Sequence, residues 1–564
     1  MSLVDENAEE SETTLCSPQK YYYKKRPNVN LSQAKNDTCL LGSCLKSLRW
    51  KVCNHNVGDI YWYGMSITAS QIIDLCSSNK CSNYSKFAVN RYPNLQDATR
   101  KDYFYKLLQL HLHYKCNGDE HEHGTNAYPP SFTIPRDMKH IVNLLDYKIP
   151  FILKPSGGSM GQGVRVATVP EDVTDDLNDY IAQEYIANPL LLDGKKFDIR
   201  IYILLTGTFE DFSAFISKSS LVRVCTAFYE YPSANNSCNS FMHLTNYSIN
   251  RLNLSQYHRG KDIYDVNNNK RPLDSVLNHL EKYGYKKKNI WTQIKQIAEN
   301  VASALYPHIS INSGCLSGTR NPPKLFQILG LDVIIDIYGK AWLLEVNSNP
   351  SLKTTYCDGN ITRDDPVDLS IKLPVVRDFL TIVNNSLSNV DAIPESCEVI
   401  KVTIPTQVHI FVQLYKLTKL GTWTSCRITR TEWLAFCRRT KLVELAKVYA
   451  LLRSHNVPQG DENHETNVTG KRILLDLFSE YRRENGVPGV CFLRFSQMLE
   501  SLALIFYENF ALLRPSAVER LCGLTGVPSQ LLLNWSVNQP DILDKKGIKQ
   551  ATQRLFYHFK QQFL

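Results

Sequence analysis

The segment Leu331-Asp-Val-Ile-Ile-Asp-Ile-Tyr-Gly-Lys-Ala-Trp-Leu-Leu-Glu-Val-Asn347 constrains the fold more than any other, because it buries charge inside an apolar strand pattern. Two apolar stretches flank Tyr338-Gly339, which reads as a two-residue hairpin turn. Pairing Ile337 with Lys340 sets Asp332 opposite Glu345, and the two-residue period puts Asn347 on the face of Glu345. Facing carboxylates repel and cost stability unless a cation lies between them. The oxygen-only set Asp332, Glu345 and Asn347 suits Mg2+, commonly shared with nucleotide phosphates. The alternative, a solvated hairpin face, sits poorly with the apolar surroundings.

Two more constellations carry chemistry. Lys154-Pro-Ser-Gly157-Gly158-Ser-Met160-Gly161-Gln-Gly163 follows the strand-like Phe151-Ile-Leu. Four glycines in so short a run let backbone N–H groups approach phosphate oxygens, with a lysine beside them. The run is neither a Walker A loop nor a dinucleotide fingerprint, and a plain Gly-rich hairpin has the same composition. Further on, Lys196, Asp198 and Arg200 alternate along an apolar strand and so share one face. Such a face lines a polar cleft or lies on an exposed edge strand. Gln183-Glu184-Tyr185-Ile186, Arg223 and His243-Leu-Thr245-Asn246-Tyr247-Ser248 belong to the same region.

At 564 residues the chain is too long for one domain. Residues 1–27 read as a disordered tail and 28–130 as a small N-terminal α/β domain. Residues 131–380 read as the catalytic core, 381–400 as a linker and 401–564 as a helical module. Within the core, 151–154, 164–169, 197–205, 221–229 and 331–347 have strand character and 291–305 helical character. In the last module Phe492, Phe495, Met498, Leu499, Leu502, Ile505 and Phe506 mark one helical face, and Ile473, Leu474, Leu477, Phe478 and Tyr481 another. From Lys401 onward 22 Lys and Arg oppose 13 Asp and Glu, which accounts for the whole net charge of +9. That asymmetry fits a polyanionic partner or solvated helix faces. The acidic start has neither signal- nor transit-peptide character, and no apolar run reaches the ~18 residues of a membrane span. The 16 Cys are scattered as in a reduced, cytosolic protein.

ILKP with its glycines, QEYI, KKFDIRIY, HLTNYS and LGLDV…WLLEVNSNPS occur in this order, and together they resemble the ATP-grasp ligases of the tubulin–tyrosine-ligase-like family over about residues 27–380. VNLSQAK, GDIYW, VNRYPNL, PRDM and KLPVVRDFL carry a closer likeness to its glutamate-adding members. The resemblance implies an α/β ATP-grasp core using ATP and Mg2+, with two ions. Lys154, Met160, Gly161, Lys196, Phe197, Asp198, Thr245 and Asn246 would then contact the nucleotide, and Gln183, Glu184, Tyr185 and Ile186 would form the adenine hinge. Asp332, Glu345 and Asn347 would hold metal. Arg223, Tyr247, Ser248, Lys270 and Ser348 would receive free L-glutamate, and Lys154, Lys196, Arg200 and Arg223 would neutralise charge during transfer. The implied partner is the acidic tails of tubulin in microtubules. The implied enzyme is a cytoplasmic, cytoskeletal monomer, with the cilium or basal body as a further location. Met160 stands where the family usually has Gln, and Ser348 where several members differ, which bears on acceptor choice and chain length. Glycine or tyrosine addition and an inactive microtubule-binding protein are the competing readings.

Other clusters carry less. His111, His113, His121 and His123 lack Cys partners at zinc spacing. The run Tyr21-Tyr-Tyr-Lys-Lys-Arg26 is too short to indicate nucleic-acid binding.

Overall fold

The computed structural model describes residues 26–510 except 54–57, 79–86, 116–126, 159, 210, 317, 320, 359–360, 420–426, 454–461 and 483–488, together with 552, 554 and 555. His121, His123 and all but Arg26 of the Tyr21–Arg26 run therefore lie outside the described residues. Of the expected tail only Arg26 and Pro27 are included.

The chain opens with β1 (Asn28–Gln33), α1 (Thr38–Leu48), β2 (Lys51–Cys53), β3 (Ile60–Tyr63), α2 (Ala69–Ser78), β4 (Ala88–Val89), α3 (Leu95–Ala98) and α4 (Lys101–Lys115). A separate antiparallel sheet follows, built of β5 (Ser131–Ile134), α5 (Met138–Asp146), β6 (Phe151–Pro155), β7 (Arg165–Ala167) and β8 (Tyr180–Glu184) in the order β5-β8-β6-β7. Ile141 and Leu145 of α5 close its core against Phe151, Leu153 and Ala182.

Next come β9 (Leu191–Leu192), β10 (Lys195–Thr206), β11 (Ser213–Ser217), β12 (Leu221–Val224), α6 (Ser240–His243), α7 (Tyr247–Asn250), β13 (Lys270–Pro272), α8 (Leu273–Glu281), α9 (Lys287–Asn312), β14 (Lys324–Ile335) and β15 (Ala341–Asn347). The hairpin β16 (Thr355–Asp358)–β17 (Ile361–Asp364), α10 (Pro366–Leu387) and β18 (Cys397–Ile400) complete the core. The main sheet runs β13-β12-β10-β14-β4-β3-β1-β2, with β15 beside β14, β9 and β11 on β10, and β18 on β11. The strands of residues 28–89 thus continue the sheet of the catalytic region through the parallel pair β4–β14.

Alternation along β10 decides what each face does. Phe197, Ile199, Ile201, Ile203 and Leu205 enter an apolar core with Leu329, Leu331 and Val333 of β14, covered by the Ile290, Ile294, Ile297 and Val301 stripe of α9. Lys196, Asp198 and Arg200 point to the other face. Further along that face, Tyr202 and Leu204 pack with Val375, Val376 and Phe379 of α10 and Leu41 and Leu45 of α1. One sheet face is therefore polar at one end and apolar at the other, and the polar end is the cleft.

The α/β expectation holds. The stretch 221–229 is a strand only to Val224; beyond it Cys225 and Tyr229 donate their N–H groups to the Lys196 and Gly194 carbonyls. The linker expected at 381–400 is instead the end of α10 and the strand β18, which pairs with β11. Its Cys397 and Ile400 are both buried.

The helices α11 (Thr406–Lys419), α12 (Arg430–Arg439), α13 (Leu442–Arg453), α14 (Glu462–Arg482) and α15 (Phe492–Phe510) do not stand apart from the core either. Phe411 and Tyr415 of α11 join Trp433, Phe436, Phe495 and Leu499 in the same continuous apolar cluster as α4 and α9. Tyr114 of α4 sets its ring 5.9 Å from that of Phe411 and donates its hydroxyl to Glu500. Helical periodicity reveals an apolar face but not what covers it, so the sequence separated what packing joins. No described helix is long and apolar enough to cross a membrane.

Candidate active site

A cleft of about 790 Å³, its open mouth included, lies between the four-stranded sheet and the polar end of the main sheet. Lys154, Met160, Gly161, Gln183, Glu184, Tyr185, Ile186, Lys196, Asp198, Arg223, Thr245, Asn246, Asp332 and Glu345 all line it, from eight separate stretches of chain. Lys101 lines it too, unforeseen from the sequence.

The glycine run is a hairpin loop joining β6 to β7, and it also forms one lip of this cleft. Gly161 has φ +77°, and a Cβ there would stand 2.8 Å from Ile249 Cδ1 and 3.3 Å from Asn246. Only glycine allows the lip to close that tightly on α7. Met160 is itself left-handed (φ +62°) and 62% exposed, so its side chain projects from the loop rather than into the core.

Lys154 and Lys196 are buried, and every acceptor they hold is neutral. Lys154 Nζ donates to Gln183 Oε1 (2.7 Å) and to the Leu344 carbonyl (3.2 Å). Lys196 Nζ donates to Tyr185 Oη (2.7 Å) and to the His243 carbonyl (3.0 Å). Burial without an ion-paired partner pulls each ammonium down to about 8, against partial relief from Glu345 for Lys154 and from Cys225 and Asp198 for Lys196. Two desolvated cations facing one cleft, Lys154 from the four-stranded sheet and Lys196 from the main sheet, are costly in the free protein and favour a polyanion. With two of three hydrogens committed, each has one left for a ligand oxygen.

Beside them sits a balanced quartet. Arg223 Nε donates to Asp198 Oδ1 (2.8 Å) and its terminal nitrogen bridges Asp198 and Asp332 Oδ2 (2.9 Å). Arg200 grips both Asp332 oxygens, and Thr245 Oγ1 donates to Asp198 (2.6 Å). Burial alone would raise the Asp332 carboxyl, but Arg200 and Arg223 outweigh it and hold it well below the usual range.

The hairpin places Asp332 opposite Glu345 as the sequence led us to expect, but by another route. The turn spans three residues, 337–339, closed by Asp336 N–H to Lys340 O (3.0 Å) and Gly339 N–H to Asp336 O (2.9 Å). Ile335 faces Ala341 and Val333 faces Leu343; an extra residue, Leu344, then bulges out and restores the Asp332–Glu345 pair. The bulged residue's carbonyl is the one that accepts from Lys154.

The repulsion expected between the two carboxylates is relieved by the arginines on Asp332. Glu345 has no ion pair among the described residues; its side chain meets the Asn347 amide, 3.2 Å from Oε1, and the Asp332 carboxyl. Two carboxylates lining a cleft that also holds two lysines, with the Asn347 amide just behind Glu345, are a donor set that fits Mg2+ shared with phosphate. Asp332, Glu345 and Asn347 are the residues that would hold it.

Lys270 pairs across the strands with Arg223, so both cations share a face. Lys270 does not line the cleft. It is held by Asp365 (2.9 Å) and Asp368, 4.1 Å over the Tyr247 ring. Burial opposes its charge, but Asp368, Tyr257 and Asp365 keep it above its ordinary value. Arg259 joins the cluster through Asp365 (3.2 Å) and lies 3.6 Å over the Tyr356 ring, while Lys372 holds Asp368 at 2.9 Å. Three cations against two carboxylates leave one positive charge over. Asp365 and Asp368 cap the start of α10, about a hundred residues from Lys270, and no local signal announces the pairing.

Phe197 departs from its expected place: it sits on the opposite face of β10, fully buried in the apolar core, and touches no cleft. Arg200 acts on Asp332 without lining the cleft. Ser248 lies nearby, its hydroxyl donating to the Met160 carbonyl (2.8 Å). Ser348 offers only its carbonyl, to Gln327 (2.6 Å).

Residues 78–389, more than half of the chain, match the sequence profile of the tubulin-tyrosine ligase family. A mouse protein named tubulin polyglutamylase TTLL11 is 31% identical over 380 residues, 63% of this chain and 49% of its own length. Its human counterpart is 30% identical over 385 residues, 64% and 51%. Zebrafish tubulin polyglutamylase ttll6 is 30% identical over 328 residues, 58% and 38%. The chain spans about half the length of the TTLL11 relatives it matches and less of the last. With the profile covering more than half of the chain and every residue that lines the cleft, the chain belongs to the tubulin-tyrosine ligase family.

Proposed function

We propose that this protein is an ATP-dependent carbon–nitrogen ligase that adds glutamate to glutamate side chains on the acidic tails of tubulin. The observation that carries the reading is the pair of buried lysines, 154 and 196, whose acceptors are all neutral, opposite a carboxylate, Glu345, without an ion pair among the described residues. Such a cleft accepts a polyphosphate together with a divalent ion. The names of the relatives favour glutamate and tubulin.

Two Mg2+ ions at Asp332, Glu345 and Asn347 would neutralise charge on the phosphates. An acceptor carboxylate oxygen takes the terminal phosphoryl group of ATP, and ADP leaves. The glutamate amine then attacks the acyl carbon; phosphate departs, and the nitrogen loses a proton as the amide forms. No protein nucleophile is required, so the chain's own residues orient and neutralise. Lys154 and Lys196 face the phosphates. Arg223, backed by the surplus charge around Lys270, faces the incoming amino acid.

Mass spectrometry of tubulin tails after incubation with the protein, MgATP and labelled glutamate, glycine or tyrosine tests the proposal. Glutamate adducts that require ATP are expected. Glycine or tyrosine adducts instead would reassign the donor, and no ATP-dependent adduct would leave only a microtubule-binding role.

A further inference from the structure

His243 lines the cleft, yet the chemistry above gives it no role. It is buried, and its ring joins a chain of hydrogen bonds whose direction can be worked out atom by atom. Lys196 has hydrogens only to give, so Tyr185 Oη accepts from it (2.7 Å). The Tyr185 proton has two neighbours, His243 Nδ1 at 2.9 Å and the Tyr229 hydroxyl, while His243 Nε2 faces two oxygens of Asn236. The ring proton is therefore on Nε2, which meets the Asn236 carbonyl at 3.1 Å. With Nδ1 left as an acceptor for Tyr185, the imidazole is neutral. Burial and nearby Lys196 push its pKa down to about 4, which agrees with a neutral ring.

The chain joins two parts of the site that bind different ends of a nucleotide. Tyr185 sits in the hinge segment 183–186, and Lys196 stands among the groups that would meet phosphate. The same lysine also lies 4.1 Å over the Tyr185 ring and donates to the backbone carbonyl of His243. His243 thus touches Lys196 twice, by its carbonyl directly and by its ring through Tyr185.

We infer that His243 is a positioning residue for ATP: as the Nε2–H tautomer it fixes the Tyr185 hydroxyl, and through it aims Lys196 at the phosphates. This rests on the assignment of the cleft to ATP and adds a group to it. A ring without an acceptor at Nδ1 would let the Tyr185 hydroxyl rotate, and Lys196 would compete with it for the same carbonyls. ATP binding should then weaken with the fold intact.

The side-chain oxygen of Asn can occupy the place of Nδ1, whereas Leu fills the volume with no acceptor. ATP affinity of the full chain is measured by calorimetry for the wild type, His243→Leu, His243→Asn, Tyr185→Phe and the His243→Leu/Tyr185→Phe double variant, with circular dichroism as the check on folding. His243→Leu is expected to weaken ATP about tenfold, the scale of one bond to a charged group. Tyr185→Phe should match it and the double variant should add nothing further, because both break one chain. His243→Asn should recover to within about threefold of wild type. A merely structural histidine predicts the reverse order, with buried Leu tolerated and Asn harmful. Folded His243→Leu binding ATP like the wild type, or additive single effects, would overturn the inference. Failure of the wild type to bind ATP would instead overturn the assignment of the cleft.

Discussion

Replacing Lys196 by Met should make the free protein more stable while ruining its nucleotide binding. The ammonium's fall from 10.5 to about 8 corresponds to roughly 3 kcal/mol of unfavourable burial at neutral pH. Met keeps the length and removes that cost. Against it stand two acceptors, Tyr185 Oη and the His243 carbonyl, each losing a donor at about 1 kcal/mol. The balance is about 1 kcal/mol in favour of the variant, or a Tm higher by about 1–2 °C in a chain of this size. Because the folded value lies below the unfolded one, the folded wild type binds fewer protons between about pH 8 and 10.5. Its stability relative to Lys196→Met should therefore rise across that window, and the full deficit should be present below about pH 8. The groups facing Lys196 are Tyr185, His243, Asp198, Cys225 and Lys154; Lys154 titrates in the same range and is coupled to Lys196, so the scan is read against Lys154→Met as well. Scanning fluorimetry from pH 7 to 10 with and without MgATP measures both effects. ATP should raise the wild-type Tm and leave the variant nearly unmoved, with affinity down ten- to a hundredfold. A variant destabilised by more than about 2 kcal/mol, or one that binds ATP normally, would refute the argument that an uncompensated buried cation marks the phosphate site.

Glu345→Gln should abolish most adduct formation with an unchanged Tm; near-normal turnover at saturating Mg2+ would remove Glu345 from the metal set. Arg223→Lys should raise the KM for glutamate at least about tenfold, because a lysine cannot span Asp198 and Asp332 as the guanidinium does. Since that substitution also loosens a buried network, the KM is read on protein shown folded by circular dichroism. Charge reversal at the exposed Arg438, Arg439, Lys441 and Arg482, with Arg483 included although it lies outside the described residues, should weaken microtubule co-sedimentation and flatten its salt dependence. Co-sedimentation unchanged by the reversals would refute an electrostatic role for this face. Deletion of 401–564 should give insoluble protein, because it uncovers the apolar surface of α4 and α9; a soluble, ATP-binding truncation would contradict the shared core.

What the sequence made legible was local. Alternation along β10 placed Lys196, Asp198 and Arg200 on one face, and the same rule would have put Phe197 on the other had it been applied against the motif. The glycine run was legible as a loop, because glycines with left-handed φ are needed where Gly161 meets Ile249 and Asn246. What escaped was held together from far along the chain. Lys270 is bound to Asp365 and Asp368, and α11 is covered by α4 and α9; neither pairing leaves a periodic trace. His243 was visible as a letter in HLTNYS, but its role depends on Tyr185 and Asn236, which only the folded chain brings to it.

The bulge at Leu344 has a consequence for how the catalytic hairpin could change length. Regular pairing continued from Val333–Leu343 would face Asp332 with Leu344 and send Glu345 through the sheet toward the apolar core. A two-residue turn with no bulge would bring Glu345 back opposite Asp332, as would the present three-residue turn with one. The carboxylate pair thus has two backbone solutions that differ by moving a single residue from the turn into the strand. In the bulged solution the carbonyl that meets Lys154 is that of the extra residue, Leu344. A hairpin engineered with the shorter turn would keep its acids in register but without the bulged Leu344, so the same carboxylates would come with a differently seated Lys154.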